Sequence, residues 1–241
     1  MDINNLTTEQ IEYIHDNYRK IRPELVEWSL YEKYDYVDMG EAGIWAKYPI
    51  GITEWNEDWE SNIKYFAWGE TEGYTKNQIG IDKQFDWSNY KWCNGNSNEI
   101  TKYNNNPEYG EVDNLTTLLP EDDACTVNMG GNWRIPTIEE FQKLYNLCDT
   151  EWINNYNGVS GLVGVIFKLK TDESKQLFFP LSGFCNIGSV EGWTTGYFLS
   201  SSLDFSNSKY VFHLFFFYNT VDMDGSYRCN GYPILGILDT K

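Results

Sequence analysis

The residue types that could do chemistry are unevenly supplied. Asp and Glu number 36, whereas His occurs only at His15 and His213 and Cys at five positions. A redox-metal centre of the His-and-carboxylate kind needs several such ligands together, and two distant histidines cannot supply it. Paired carboxylates could run a hydrolysis, yet nothing in the Asp and Glu spacing singles out a pair, and a solvated acidic surface is the simpler expectation. Asp222-Met223-Asp224-Gly225 looks like the start of a calcium loop but lacks the downstream Glu that completes an EF-hand. No cofactor is therefore expected, with a structural calcium left open.

The stretch from Val211 to Tyr218 offers different chemistry. It is apolar or aromatic on both faces of a strand, so one face fills the core and the other is covered or offered to a partner. Tyr and Phe bring large contact area at low entropy cost, and Asn, Ser and Asp add adaptable hydrogen bonds, as in paratopes. Phe215 and Phe217 could equally be core. Tyr227, Asn230 and Tyr232 are expected in a loop, where contact with a ligand is favoured.

The elements that must hold these residues centre on Gly130-Gly131-Asn132-Trp133-Arg134-Ile135-Pro136-Thr137. Thr137 and Glu140 have capping-box spacing, and Ile138, Phe141, Leu144 and Tyr145 then mark one apolar helix face. Two central helices are expected near 121–128 and 137–148. Glu121-Asp122-Asp123 suits the first one's N-terminus. Trp133 is expected in the core, with Arg134 bonding carbonyls or a carboxylate. Residues 73–114 are polar and aperiodic.

Before residue 36 lies a separate helical arm. Thr7 and Gln10 offer a second capping box, and Ile11, Ile14, Tyr18 and Ile21 follow at helical spacing. Pro23 starts a new stripe of Leu25, Trp28 and Tyr31. The arm either packs on its own domain or serves docking and oligomerisation.

A net charge of −18 argues against nucleic acid, whose phosphates need a Lys/Arg surface. No apolar run reaches the ~20 residues of a membrane-spanning helix, so no membrane insertion is expected. Met1-Asp2-Ile3-Asn4-Asn5 lacks the basic-then-apolar pattern of a secretory signal, so the standard export route is not expected. The five cysteines, odd in number and without a CxxC pair, are read as mostly buried free thiols.

The central motif resembles the W-R-[LIM]-P-T-x-x-E-[FW] core of the major paralogous domains of gut Bacteroidetes-type bacteria and their phages. Further matches follow in family order: Tyr36-Val37-Asp38-Met39-Gly40 through Trp45-Ala46, Tyr65-Phe66-Ala67-Trp68-Gly69-Glu70-Thr71, and Tyr109-Gly110-Glu111-Val112-Asp113-Asn114. Leu119-Pro120-Glu121-Asp122-Asp123-Ala124, Phe179-Pro180-Leu181-Ser182-Gly183-Phe184 and Gly196-Tyr197-Phe198-Leu199-Ser200-Ser201-Ser202 continue it. The likeness covers roughly residues 36 to 237. Where the family ends in a Val-Arg-Pro-Val-like strand, this chain has Ile234-Leu235-Gly236-Ile237.

These domains are similar to the C-type-lectin-like fold, shared with formylglycine-generating enzymes and with the variable proteins of diversity-generating retroelements. The resemblance implies an α+β fold with short antiparallel strands, two central helices and long irregular loops over 36–241, preceded by the arm over 1–35. The catalytic relatives use a close cysteine pair late in the chain, and Cys229 has no near partner in sequence, so no enzyme is expected. Val211, Leu214, Phe216 and Val221 match the family's fixed apolar positions, with Arg228 and Gly231 following. Between such anchors the diversified relatives contact ligand. Carried onto this chain, those positions are Phe212, His213, Phe215, Phe217, Tyr218, Asn219, Asp222, Asp224, Ser226, Tyr227, Cys229, Asn230 and Tyr232.

The resulting expectation is a non-catalytic module on a virion surface that recognises a host-cell surface glycan or protein. The arm would meet other virion proteins, and a homo-oligomer is expected. A structural fibre or decoration protein with an aromatic interface, and a bacterial surface adhesin, are the alternatives.

Overall fold

A computed structural model describes residues 34–218 and 220–239. The expected helical arm falls outside the described residues except for Tyr34 and Asp35, as does the candidate site residue Asn219. The larger compact unit of the chain begins at Tyr36.

In chain order the strands are β1 (Tyr36–Asp38), β2 (Ile44–Ala46), β3 (Lys64–Tyr65), β4 (Tyr74–Thr75), β5 (Trp133–Arg134), β6 (Cys148–Ile153) and β7 (Gly164–Leu169). They continue with β8 (Asp172–Pro180), β9 (Phe184–Asn186), β10 (Ser189–Glu191), β11 (Gly196–Leu203), β12 (Tyr210–Phe217), β13 (Thr220–Tyr227) and β14 (Ile237–Leu238). Among the described residues the α-helices are α1 (Trp59–Asn62), α2 (Ala124–Met129) and α3 (Ile138–Leu147). The class is α+β and mostly β, made of small antiparallel sheets with few helices.

Two sheets are meanders, β6-β7-β8 and β11-β12-β13, and two are hairpins, β3-β4 and β9-β10. A further sheet draws on distant parts of the chain. In the order β1-β2-β14-β5, the last strand sits between an opening strand and the strand of the central motif, antiparallel to both.

The central motif folds as its residues require. Gly130 and Gly131 have φ of 77° and 61°, a region costly for residues with a Cβ, and they turn the chain from α2 into β5. Thr137 accepts from the Glu140 N–H while the Glu140 carboxylate accepts from the Thr137 N–H, a full capping box. The same carboxylate takes two hydrogen bonds from Arg134, at 2.7 and 2.6 Å. Trp133 is buried. On α3, Phe141 and Leu144 face the core, but Tyr145 is exposed. The apolar stripe runs on to the buried Cys148, which starts β6 directly, so the helix ends before Tyr145's side of it is covered.

Aromatic rings join the layers. Phe179 on β8 meets Phe141 on α3, Phe198 on β11 and Phe216 on β12, with ring centroids 6.4, 4.9 and 6.4 Å apart. A second cluster gathers Tyr48, Trp59, Tyr156 and Phe178 around Trp55. Each such pair adds about 0.5–1.5 kcal/mol beyond its area. All five cysteines are free, and four are buried. Burial pushes the Cys148 and Cys229 thiols up to about 11 and about 12, so they pack as small protonated apolar groups.

Residues 73–114 contain little regular structure yet are tied down by side chains. The Asp113 carboxylate accepts from the backbone N–H groups of Tyr103, Asn104 and Leu115. Lys83 and Glu70 form a buried ion pair at 2.7 Å, and the Lys83 ammonium also donates to the Asn89 carbonyl.

Candidate functional site

Strand alternation decides what β12 and β13 can present. The register pairs Val211 with Ser226, His213 with Asp224, Phe215 with Asp222, and Phe217 with Thr220. Directly paired residues share a face, so these eight side chains lie on one side of the sheet. The other side carries Phe212, Leu214 and Phe216 opposite Gly225, Met223 and Val221, with Tyr210 opposite Tyr227. Leu214 and Phe216 are buried there, against the core that Phe179 joins to α3.

The twelve described residues of the thirteen expected at a ligand surface therefore do not form one patch. His213, Cys229, Asn230 and Tyr232 are buried, at 1%, 2%, 5% and 0% exposure. The loop expected to hold Asn230 and Tyr232 out in solvent is instead packed inward. Tyr232 is nearly parallel to His213 and to Phe184 of β9, with centroids 5.4 and 6.0 Å apart. Its hydroxyl is held by Ser226 and by the Asn230 amide. Cys229 belongs to the core cluster with Phe85 and Cys185. Tyr232 thus covers His213 on the same face that carries Phe215 and Phe217, and these four buried side chains offer no surface to a partner.

On the two strands, Phe212 and Tyr227 lie on the opposite face from His213, Phe215, Phe217, Asp222, Asp224 and Ser226. Tyr227 is half-exposed, stacked on Tyr210 at 4.9 Å and edge-on to Trp87 at 5.9 Å. The side chains brought together at the surface are Phe215, Phe217, Asp222 and Asp224, with Tyr218 at the turn. Tyr218 is 77% exposed, has φ of 44° and packs edge-on against Phe217 at 4.9 Å. Phe215 is half-buried beside Tyr197 of β11, at 5.2 Å. Sequence reading missed Thr220 and Tyr197. Alternation by two from Asp222 would have found Thr220, whereas Tyr197 follows only from the pairing of β11 with β12.

On its far side β13 has no partner strand among the described residues. Two outward N–H groups are nonetheless occupied. Asp222 accepts from the N–H of Met223 at 2.8 Å, and Asp224 from that of Gly225 at 2.7 Å. The two aspartates that resembled the start of a calcium loop thus cap their own strand edge. Among the described residues, no group of three or more His, Cys, Asp or Glu is placed to hold a metal ion.

Arg228, directly after β13, anchors the sheet to the irregular region. It is fully buried. Its guanidinium donates to the carbonyls of Tyr103, Ser208 and Lys102 and to the Tyr90 hydroxyl. The rings of Trp68 and Tyr90 lie 4.8 and 5.2 Å from it, where their π-faces favour a cation. The charge is thereby solvated by carbonyls and rings. On β12, His213 is held neutral: burial drops its pKa to about 4, although Asp224 across the ladder pulls the other way.

Among the described residues no helix is long and apolar enough to cross a membrane. No family model, no curated protein and no solved structure matches the chain.

Proposed function

We propose that the domain is a non-catalytic binding module of the C-type-lectin-like kind, which meets a macromolecular partner through the turn end of β12 and β13. The observation that carries this reading is the grouping of Phe215, Phe217 and Tyr218 with Asp222 and Asp224 on one face and its turn. Exposed rings supply contact area, and the carboxylates accept hydrogen bonds from hydroxyl or amide donors. The buried His213, Asn230 and Tyr232, with the half-buried Ser226 bonded to the Tyr232 hydroxyl, hold that face rigid, which lowers the ordering cost of binding. The lectin-like reading is supported by the opening and final strands meeting beside the central motif.

The partner favoured is a bacterial cell-surface glycan or protein, recognised from a virion surface. Ligand and location rest on the motif resemblance. The alternative of a structural virion protein would use the same aromatic face between subunits.

Binding of the labelled protein to a panel of gut bacterial strains, beside the double variant Phe217→Ala/Tyr218→Ala, tests the reading. Strain-selective binding that the folded variant loses is the expected result. Failure of the folded protein to bind any strain would overturn it in favour of the subunit-interface role.

A further inference from the structure

A cavity of about 440 Å³ lies beside the segment that leads into β11, whose first residue, Gly196, pairs with Phe216. Trp193 stands on that segment. Gly192, with φ of 70°, starts a tight turn closed by the Thr195 N–H donating to the Gly192 carbonyl at 2.7 Å. The Gly183 N–H, bonding the Thr195 carbonyl, fixes that turn in place. A rigid turn thus holds an indole 42% exposed to solvent.

Residues on or beside four further elements complete the walls. Trp59 and Glu60 come from α1, Lys76 follows β4, and Val163 and Leu181 flank β7 and β8. The Leu181 N–H bonds the Val163 carbonyl at 2.8 Å, which joins those two into one apolar wall. Gly161 lines the mouth, where a Cβ would meet nothing within 4 Å.

The polar groups are paired. The Lys76 ammonium lies 2.9 Å from a Glu60 carboxylate oxygen and 5.0 Å from the centroid of the Trp193 ring. Their charges cancel, so the cavity selects neither anion nor cation by net charge. It still presents a hydrogen-bond acceptor, a donor and an aromatic face in one space. A second cation would compete with Lys76, and a polyanion would meet a chain of net charge −18. The volume falls within the ~300–1,000 Å³ of small-ligand sites.

A neutral sugar ring meets these demands together. Its hydroxyls donate to the Glu60 carboxylate and accept from the Lys76 ammonium, which already covers one face of the indole, and its C–H face packs against the rest of the indole and the Val163–Leu181 wall. We propose that this cavity binds one neutral pyranose unit of a glycan. The proposal rests on the reading of the domain as a binding module and names its ligand class, but it does not require the β12–β13 face.

Saturation-transfer NMR with the methyl glycosides of glucose, galactose, mannose and N-acetylglucosamine tests it, with tetramethylammonium as the cationic comparison. Transfer to at least one glycoside is expected. Trp193→Ala, confirmed folded by its thermal melt, should abolish it, and Glu60→Gln should weaken it by about tenfold or more. Absence of transfer to all four glycosides would overturn the proposal, as would transfer that survives in Trp193→Ala or preference for tetramethylammonium. The strain-binding assay separates the two readings. If Trp193→Ala still binds cells while Phe217→Ala/Tyr218→Ala does not, and no glycoside binds, the sheet-end reading stands and the sugar site alone fails.

Discussion

His213 shows how one buried residue links this sheet to pH. It is 1% exposed, tilted against Tyr197 and parallel to Tyr232. Its folded pKa is about 4, below the ~6.5 of an unfolded histidine. Above pH 6.5 it is neutral in both states, and its contribution to stability is fully present. Between 6.5 and 4 the unfolded chain takes up a proton that the fold refuses, so stability falls as pH drops. The full loss is about 3 kcal/mol by pH 4. Glu140 and Asp122, whose pKa values Arg134 and Lys102 hold low against the opposing effect of burial, add their own losses at lower pH. Urea unfolding from pH 7 to 4.5 should therefore show a shallower loss in His213→Phe than in the parent, by about 2 kcal/mol. Equal slopes would mean that His213 is not the group refusing the proton. That His213 would be core was not legible beforehand, because its cover comes from Tyr197 and Tyr232, which the chain brings back from other strands.

Elements whose determinants are local were the most readable. The capping box at Thr137 and Glu140, the buried Trp133 with its neighbour Arg134 bonding a carboxylate, and helix α3 all depend on neighbours within a few residues, and the sequence pattern found them. The candidate surface was readable only as a region. Period-two alternation splits Phe212 and Tyr227 from Phe215 and Phe217, and the sharp return after Arg228 buries Asn230 and Tyr232. Neither the register nor the return is encoded at short range. The edge of β13 supplies the test at this scale. An open strand edge templates pairing with another chain unless charge or geometry blocks it. Asp222 and Asp224 do both, by occupying the N–H groups of Met223 and Gly225 and by placing two carboxylates on the edge strand. Asp222→Ala/Asp224→Ala should self-associate, seen as a concentration-dependent rise in mass by light scattering. Asp222→Asn/Asp224→Asn, which keeps the acceptors without the charge, should fall between. A double alanine variant that stays at the parent's mass at every concentration would refute the edge-blocking role.

At the scale of the whole molecule, the described unit depends on closure by its last strand. β14 is two residues long, yet it bridges β2 and β5, and so ties the start of the unit to the central motif. Gly236 lies directly before β14. A Cβ there would lie 3.1 Å from the Met129 sulfur, 3.2 Å from the Cys125 sulfur and 3.4 Å from the Trp133 ring. The glycine thus lets the strand lie close over α2 and the motif tryptophan. Ile237 and Leu238 are then 3% and 6% exposed. Truncating a well-packed aliphatic side chain of this kind costs about 2–5 kcal/mol. A domain's total margin is only about 5–15 kcal/mol. Ile237→Ala should accordingly lower the urea midpoint in proportion to about 2–4 kcal/mol without altering the slope of the transition. Ile81→Ala, at a residue 79% exposed, should stay within about 0.5 kcal/mol of the parent. Because β14 is bonded on both sides, its loosening frees β2 and β5 together. Near-ultraviolet and far-ultraviolet signals should therefore still coincide in Ile237→Ala. Separate transitions for the two probes would show that the terminal sheet is a detachable layer, and that the rest of the unit holds without it.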